Sequence, residues 1–264
     1  MLGTSLEHRG AELLSFHGGA AAFRAGHTTG LPLLAPWANR LSRKRFRIGR
    51  VDVDVRRAPA VDPNGLPIHG TMLGAFPWTV VRADTSRLVA RYEYEHPAFP
   101  FPHELEIDAR LSERGLRVRT SVRATGRRRV PVSFGWHPYF RVPGVRRGWL
   151  LRLPARRHLE LDERRIPTGR ETPERAEEAP LGMRSFDDLY ALGRDRRLAI
   201  AGGARRVEVR FGSTYPFAQV YAPPDRNFVS LEPMTAPIDA LVTGACPVVA
   251  PGDRFSATFT VSAA

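Results

Sequence analysis

The middle of the chain contains the stretch Leu116-Arg117-Val118-Arg119-Thr120-Ser121-Val122, in which apolar and polar side chains largely alternate. Successive side chains of a β-strand point to opposite faces of the sheet, so this pattern predicts a strand with one buried face and one solvated face. The same alternation recurs at residues 51–56, 89–94, 207–211 and 255–261. The sequence therefore predicts a protein built mainly from half-buried strands.

Turn-forming residues separate these stretches, as at Asp62-Pro63-Asn64-Gly65, Glu113-Arg114-Gly115, Ala201-Gly202-Gly203 and Pro251-Gly252-Asp253. Helical patterns are weak: residues 13–25 and the acidic residues 172–179 are the best helix candidates, and neither has a clear apolar stripe. Residues 162–182 are polar and are expected to form a loop between strands. Many short strands without intervening helices predict an all-β fold, an antiparallel sandwich or barrel with few short helices. We expect one domain over residues 1–264, because no repeat of fixed period and no low-complexity linker divides the chain.

The composition is that of a basic chain that can fold. There are 40 Lys and Arg against 27 Asp and Glu, a net charge of +13, and Lys44 is the only lysine. A hydrophobic content of 42% excludes a disordered basic tail. The single cysteine, Cys246, excludes a disulfide framework and a cysteine-based zinc site. No apolar run reaches the ~18–20 residues of a membrane span, and no signal peptide is recognisable, so a cytoplasmic location is expected.

The positive charge raises the question of a nucleic-acid partner. The arginines, however, are dispersed in many small clusters, several of them beside Gly or Pro, where connections between strands are expected. No recognition-helix pattern, zinc-finger spacing or aromatic RNA-binding signature accompanies them. Nucleic-acid binding is therefore not expected.

Four short segments place single polar groups among apolar or aromatic residues: Leu34-Ala35-Pro36-Trp37-Ala38-Asn39-Arg40, Leu66-Pro67-Ile68-His69-Gly70, Phe134-Gly135-Trp136-His137-Pro138-Tyr139-Phe140 and Ser230-Leu231-Glu232-Pro233-Met234-Thr235. Together they offer an arginine, two histidines and a carboxylate. Such a set can bind a polyhydroxylated ligand and move protons. Taken singly, each also has a purely structural interpretation: His137 as a core histidine, His69 as a turn residue, Glu232 and Arg40 as solvated surface groups.

The order and spacing of the four segments resemble the aldose 1-epimerase (galactose mutarotase-like) family, and the resemblance extends over residues 6–261. It implies a large antiparallel β-supersandwich with a sugar site in a cleft on one sheet. It also implies roles for individual residues: Glu232 as general base, His137 as general acid, and His69 as a hydrogen-bonding partner of the sugar that assists catalysis. Arg40 and Asp187 are expected to bind sugar hydroxyls, together with Asn39, Trp136 and Tyr139.

The activity implied by the resemblance is the interconversion of the α and β anomers of a hexose by acid–base ring opening, without a cofactor and without a metal. A hexose-6-phosphate 1-epimerase is one alternative, and a non-catalytic carbohydrate-binding protein on the same fold is another. The chain departs from the family pattern at two places. A first N-terminal strand is expected to be missing, and Leu73 stands where sugar-phosphate epimerases often carry an arginine, so that Arg43, Arg45 or Arg47 would have to bind a phosphate.

Overall fold

The computed structural model describes residues 1–74 and 76–264. Within these residues the strands are β1 (Leu2–Gly3), β2 (Glu7–His8), β3 (Ala11–Glu12), β4 (Leu31–Leu34), β5 (Arg45–Ile48), β6 (Val51–Asp54), β7 (Thr79–Ala83), β8 (Arg87–His96), β9 (Phe99–Ser112), β10 (Gly115–Ala124), β11 (Val130–Pro131), β12 (Gly135–Trp136), β13 (Tyr139–Phe140), β14 (Leu150–Leu153), β15 (Arg156–Leu161), β16 (Pro167–Glu174), β17 (Glu177–Pro180), β18 (Phe186–Leu192), β19 (Arg197–Gly202), β20 (Arg205–Phe211), β21 (Phe217–Ala222), β22 (Val229–Met234), β23 (Val248–Val249) and β24 (Arg254–Ala263). The helices are α1 (Gly19–Arg24), α2 (Ala240–Thr243) and a 3-10 turn at Arg146–Gly148.

Most of the described strands belong to two antiparallel sheets of nine strands each. Sheet A has the order β1-β4-β12-β22-β21-β18-β15-β16, with β13 also paired to β22. Sheet B has the order β17-β14-β19-β20-β24-β10-β9-β8-β7, and three short pairs (β2–β3, β5–β6 and β11–β23) complete the list. The predicted all-β, antiparallel sandwich with few short helices is confirmed.

The five stretches that alternate in sequence all form strands, namely β6, β8, β10, β20 and β24. Two expectations were wrong. Residues 172–179 do not form a helix, and residues 162–182 are not only a loop, because they contain β16 and β17. These two strands lie at edges of sheets A and B, where charged side chains are common and no apolar alternation is needed. In the other helix candidate, residues 13–25, only the end forms α1, while Leu13 and Leu14 are buried outside any helix.

The hydrophobic core lies between the two sheets. Val118 of β10 and Phe259 of β24, from sheet B, belong to the same buried cluster as Leu231 of β22 and Val220 of β21, from sheet A. Each of these side chains is 2% exposed or less. Burial of apolar surface between the sheets fixes which face of each strand points outward, and so determines where polar side chains of sheet A are displayed.

The outer face of sheet B carries much of the arginine content. Asp108 of β9 is only 2% exposed and accepts ion pairs from Arg87, Arg110 and Arg119. Glu104 and Glu106, on the same face of β9, are paired in the same way with arginines of β8, β10 and β24. Many arginines therefore lie within strands and are paired there with carboxylates.

Candidate active site

The centre of the candidate site is β22, an interior strand of sheet A whose six residues are all buried. Leu231 points into the core, so its neighbours Ser230 and Glu232 face the other side of the sheet. Glu232 lies opposite Gln219 of β21, and Asp187 of β18 lies opposite Tyr221 of β21. The sheet register thus brings three polar side chains from separate strands, Glu232, Gln219 and Asp187, to one face.

Two loop segments cover this face and bring Asn39, Arg40 and His69 to it. Asn39 and His69 both have left-handed backbone conformations, with φ of 59° and 61°. The backbone N–H of His69 donates to the carbonyl of Asn39 at 3.0 Å, and the N–H of Asn39 donates to Nδ1 of His69 at 3.3 Å. The next residue, Gly70, must be glycine, because a Cβ there would overlap the carbonyl oxygen of Ala35.

A cavity of about 330 Å³ opens between the sheet face and the loops. Seven of the eight residues expected from the sequence line it: Asn39, Arg40, His69, His137, Tyr139, Asp187 and Glu232. These residues come from segments far apart in the chain, and the fold assembles them around a space of the size that binds small molecules.

Trp136 is the exception and requires a correction. Its side chain is 2% exposed, belongs to the core between the sheets, and donates from Nε1 to Oγ1 of Thr120 on β10 at 2.9 Å. Neighbouring residues of an extended segment point to opposite sides, and because His137 faces the cavity, Trp136 faces the core. Trp136 therefore does not line the cavity.

Glu232 and His137 form a buried acid–base pair. Oε1 of Glu232 lies 3.2 Å from Nε2 of His137, and the residues are 1% and 5% exposed. Burial and the nearby Asp187 carboxylate raise the pKa of Glu232 well above its ordinary value, although Arg40 acts in the opposite direction. Burial and the neighbouring His69 hold the pKa of His137 well below its ordinary value. Both directions favour a pair that holds one proton between its facing atoms.

The other nitrogen of His137 has a fixed partner. The Ser230 hydroxyl donates to the carbonyl of Pro138 at 2.7 Å, so its oxygen accepts from Nδ1 of His137, 2.8 Å away. This arrangement assigns the proton of neutral His137 to Nδ1 and leaves the Nε2 lone pair facing Glu232. The ring is held further by Tyr139, which stacks on it with a centroid distance of 4.4 Å.

Arg40 is held rigidly beside the pair. Its Nε donates to the buried carboxylate of Asp62 at 2.8 Å, and its Nη1 donates to Oδ1 of Asn39 at 3.0 Å. Its Nη2 lies 3.5 Å from the Asp187 carboxylate, which also accepts from Nε2 of Gln219 at 2.7 Å. Arg40 and Asp187 thus present donors and acceptors to the cavity in a fixed geometry.

Two unpartnered oxygen atoms and a neutral imidazole complete the polar lining of the cavity. Oε2 of Glu232 and Oε1 of Gln219 are buried and have no partner among the described residues. A buried polar atom without a partner is costly, and hydroxyl groups of a ligand would satisfy both atoms. His69 adds a neutral ring, because burial and the charge of Arg40 lower its pKa to about 3.

Sequence reasoning missed several residues of this site: Thr28, Gln219 and Tyr221 in the cavity wall, and Ser230 behind His137. Gln219 and Tyr221 are alternate residues of β21, and Ser230 and Glu232 are alternate residues of β22. Once Glu232 is a candidate, the period of two identifies Ser230 as a neighbour on the same face, but the pairing of β21 with β22 is needed to find Gln219.

The expected phosphate-binding groups lie outside this cavity. Arg45 and Arg47 belong to the exposed β5–β6 hairpin and pair there with Asp54 and Asp52. Arg43 is also exposed and is not among the cavity residues, and Leu73 is buried in an apolar cluster. Arg43, Arg45 and Arg47 therefore do not line the cavity.

Comparison with known proteins now identifies the family. The family model described as aldose 1-epimerase matches residues 9–262. The chain belongs to the aldose 1-epimerase family. This membership supports a sugar as the small-molecule ligand and epimerisation as the class of reaction. Among curated proteins, no sequence is a significant match.

Solved structures agree with the family's fold. A galactose mutarotase-like protein from Clostridium acetobutylicum superimposes with a TM-score of 0.84 at 18% identity, covering 99% of this chain and 88% of that one. A protein from Synechocystis sp. PCC 6803 gives 0.81 at 24% identity, with 99% and 87% covered. The galactose 1-epimerase from Lactobacillus acidophilus NCFM gives 0.78 at 13% identity, with 98% and 88% covered.

None of the helices in residues 1–74 and 76–264 is long and apolar enough to cross a membrane. Over the same residues, no group of three or more His, Cys, Asp or Glu side chains is arranged to hold a metal ion.

Proposed function

We propose that this protein is a cofactor-independent aldose 1-epimerase that interconverts the α and β anomers of a hexose. The observation that carries the proposal is the buried pair of Glu232 and His137, 3.2 Å apart, in a cavity lined by hydrogen-bonding groups. Anomer exchange through ring opening needs one group to remove the proton of the C1 hydroxyl and another to protonate the ring oxygen. A carboxylate and an imidazole on the same cavity wall meet that need.

The resting pair must redistribute its proton before it can act. Glu232 is a base only as the carboxylate, and His137 is an acid only when Nε2 carries a proton. Moving the shared proton from Glu232 to Nε2 of His137 produces both forms at once. The Ser230 oxygen accepts from Nδ1, and this bond strengthens when the ring becomes positively charged.

Ring opening then returns the pair to its resting state. Glu232 takes the proton of the C1 hydroxyl, the electron pair of that bond forms the C1 carbonyl, and the bond between C1 and the ring oxygen breaks. The ring oxygen takes the proton from Nε2 of His137. Rotation about the C1–C2 bond exposes the other face of the aldehyde, and the reverse transfers close the ring. Only protons move between the protein and the sugar.

Binding and orientation of the sugar fall to the polar groups around the pair. Arg40 and Asp187 are fixed by mutual contact and by Asp62 and Gln219, so they bind hydroxyls without reordering. Asn39, His69 and Tyr139 complete the wall. A preorganised site of this kind holds C1 and the ring oxygen at the acid–base pair, which is the orientation that the reaction requires.

A non-catalytic sugar-binding protein is the main alternative, and the acid–base pair counts against it. Hydrogen bonding to a sugar does not require a buried carboxyl with a raised pKa next to a histidine with a lowered one. Ionisable groups whose pKa values are strongly shifted, and which are paired in a cavity, are typical of catalytic sites.

Polarimetry tests the proposal. Freshly dissolved α-D-glucose and α-D-galactose are followed with and without the protein, in buffer free of cofactors and with a chelator present, and heat-inactivated protein serves as the control. We expect the native protein to accelerate mutarotation of at least one sugar in a dose-dependent manner. Measurable sugar binding with no acceleration over buffer would favour the non-catalytic alternative.

A further inference from the structure

The register of sheet B assembles a row of arginines from distant parts of the chain. The row crosses six adjacent strands, from β19 through β20, β24, β10 and β9 to β8. Its members lie directly opposite one another across neighbouring strands, in the order Arg197, Arg210, Thr260, Arg117, Arg110 and Arg87. Because neighbouring strands are about 4.8 Å apart, this arginine row is about 24 Å long.

The side chains of the arginine row point away from the core. Val118 and Val209 belong to the buried cluster between the sheets, so their chain neighbours Arg117 and Arg210 face outward. The same alternation turns the other members of the row to this face. The catalytic cavity lies on the outer face of sheet A. The row is therefore on the opposite side of the sandwich.

The row places like charges against each other. Three of its cross-strand pairs join two arginines, namely Arg197–Arg210, Arg117–Arg110 and Arg110–Arg87. Like charges directly opposite each other on neighbouring strands destabilise a sheet. An anion bound along the row would remove this repulsion, so its binding would be favoured by more than the new contacts alone.

Carboxylates neutralise the two ends of the row but not its centre. Asp108 pairs with the two arginines at the β8–β9 end, and Asp195 pairs with the arginine at the β19 end. Arg117 and Arg210, on either side of Thr260, are exposed, and neither has an ion pair or a side-chain hydrogen bond within residues 1–74 and 76–264. The centre of the row thus offers two unpaired guanidinium groups and a hydroxyl, all of them hydrogen-bond donors.

The β19 end of the row opens into a basic cavity of about 560 Å³. Arg197 and Arg210 of the row line this cavity together with Arg194 and Arg196, which precede β19. Asp195 is the one carboxylate among its described lining residues. The excess of positive charge therefore continues beyond the end of the row and attracts anions to it.

The composition of this face indicates which kind of anion fits. Guanidinium groups bind phosphate oxygens through paired hydrogen bonds. A single-stranded nucleic acid would also need aromatic side chains on which its bases stack, and no residue two positions before or after a member of the row is aromatic. An anionic membrane is a plane and would also meet Asp108 and Glu208 beside the row, whereas a narrow chain that follows the row avoids them.

We propose that the arginine row binds a linear inorganic polyphosphate chain, which lies across the strands of sheet B with Arg117, Thr260 and Arg210 at its centre. The phosphates supply the negative charge that the centre of the row lacks. The proposal does not depend on the sugar chemistry of the opposite face.

Calorimetry with tripolyphosphate and with a long-chain polyphosphate tests the row. Tripolyphosphate reaches only part of the row, so at low ionic strength we expect the long chain to bind roughly 10-fold or more tightly, and its affinity to fall as salt is added. Arg117→Gln and Arg210→Gln should each weaken binding of the long chain several-fold and make it less dependent on salt. The control is Arg50→Gln, which removes an exposed arginine between β5 and β6 and should leave binding unchanged.

Comparison ligands decide between phosphate polymers. Equal affinity of the wild type, Arg117→Gln and Arg210→Gln for the long chain would overturn the proposal, because the attraction would then not involve the row. Single-stranded oligothymidylate that binds as tightly as polyphosphate of equal charge would overturn the assignment in favour of a nucleic acid. Binding to phosphatidylglycerol vesicles without binding to polyphosphate would overturn it in favour of a membrane. Mutarotation of the same samples tests the proposed function separately, and we expect Arg117→Gln and Arg210→Gln to match the wild type.

Discussion

Nε2 of His137 lies 3.2 Å from Oε1 of Glu232, while the opposite ring nitrogen lies 2.8 Å from Oγ of Ser230. The strand β22 carries both Glu232 and Ser230 on one face, so two alternate residues of one strand fix the orientation of a histidine from another segment. This arrangement places a single proton between Glu232 and His137. Both the general base and the general acid depend on that proton.

The pH profile of kcat/KM reports the state of the pair. Addition of a second proton disables the base, and because the pKa of His137 is lowered, this acid limb should lie below pH 6.5. Loss of the shared proton disables the acid, and because the pKa of Glu232 is raised, activity should persist well above its ordinary value of 4.5. We expect a plateau through neutral pH. An acid limb at or above pH 6.5, measured by polarimetry over pH 4–9 or so, would argue against this pairing.

Ser230→Ala removes the acceptor for Nδ1–H of His137. The imidazolium loses a hydrogen bond that matters most when it is charged, so kcat should fall roughly 10-fold with a smaller change in KM. Ser230→Thr, which keeps a hydroxyl, should recover part of the loss. Ser121→Ala is a suitable control, because Ser121 bonds Ser256 on sheet B. A kcat for Ser230→Ala equal to that of the control would show that the contact does not serve catalysis.

Trp136→Phe separates a core role from a sugar-binding role. The substitution removes the hydrogen bond to Thr120 between the sheets and leaves part of the indole volume empty. We expect a loss of about 1–3 kcal/mol in the free energy of unfolding, measured by urea denaturation, with KM for the sugar unchanged. A raised KM at unchanged stability would place the indole at the sugar after all.

Asp108→Asn probes the ion pairs on the outer face of sheet B. Burial alone would raise the pKa of Asp108, but hydrogen bonds from Arg87 and Arg110 outweigh it and lower that pKa. The amide would remove the carboxylate that Arg87 and Arg110 share and one of the two carboxylate partners of Arg119. Because these arginines are partly exposed, we expect a cost of about 1–3 kcal/mol.

The pH dependence of this effect follows from the lowered pKa. The stabilisation by Asp108 is present above the ordinary aspartate pKa of about 4 and is lost as the pH falls through the folded-state value. Wild type and Asp108→Asn should therefore differ in unfolding free energy at pH 7 and converge in acid. Asp52→Asn, at a position 87% exposed, is the control and should be neutral. If Asp108→Asn and Asp52→Asn were equally stable at pH 7, the ion pairs of Asp108 would contribute nothing to the free energy of unfolding.

Alternation in sequence predicted the strands with one buried face, as at β10 and β24, because burial imposes the pattern. It failed at β16 and β17, where edge strands carry charges on both faces and pairing with β15 and β14 holds them in place. No local pattern records such pairing. The ion pairs of Asp108 could not be predicted from the sequence either, because its partners come from three strands, β8, β9 and β10.

The candidate site was predictable where a motif marks it and not elsewhere. Glu232, His137, His69 and Arg40 stand in recognisable segments, whereas Gln219 reaches the site only through the register of β21 with β22. The error at Trp136 arose from treating neighbours in a motif as neighbours in space. Because neighbouring residues of an extended segment face opposite sides, placing His137 at the cavity predicts that Trp136 points into the core.

The most direct test of the account is the mutarotation rate of Glu232→Gln. The amide keeps the size of the side chain but cannot accept the C1 proton, so kcat should fall by ~10²–10⁴-fold. Far-UV circular dichroism and thermal unfolding should show the native fold. This result, with wild-type protein active on the same sugar, would establish Glu232 as the base. Mutarotation by Glu232→Gln at close to the wild-type rate would contradict the central claim.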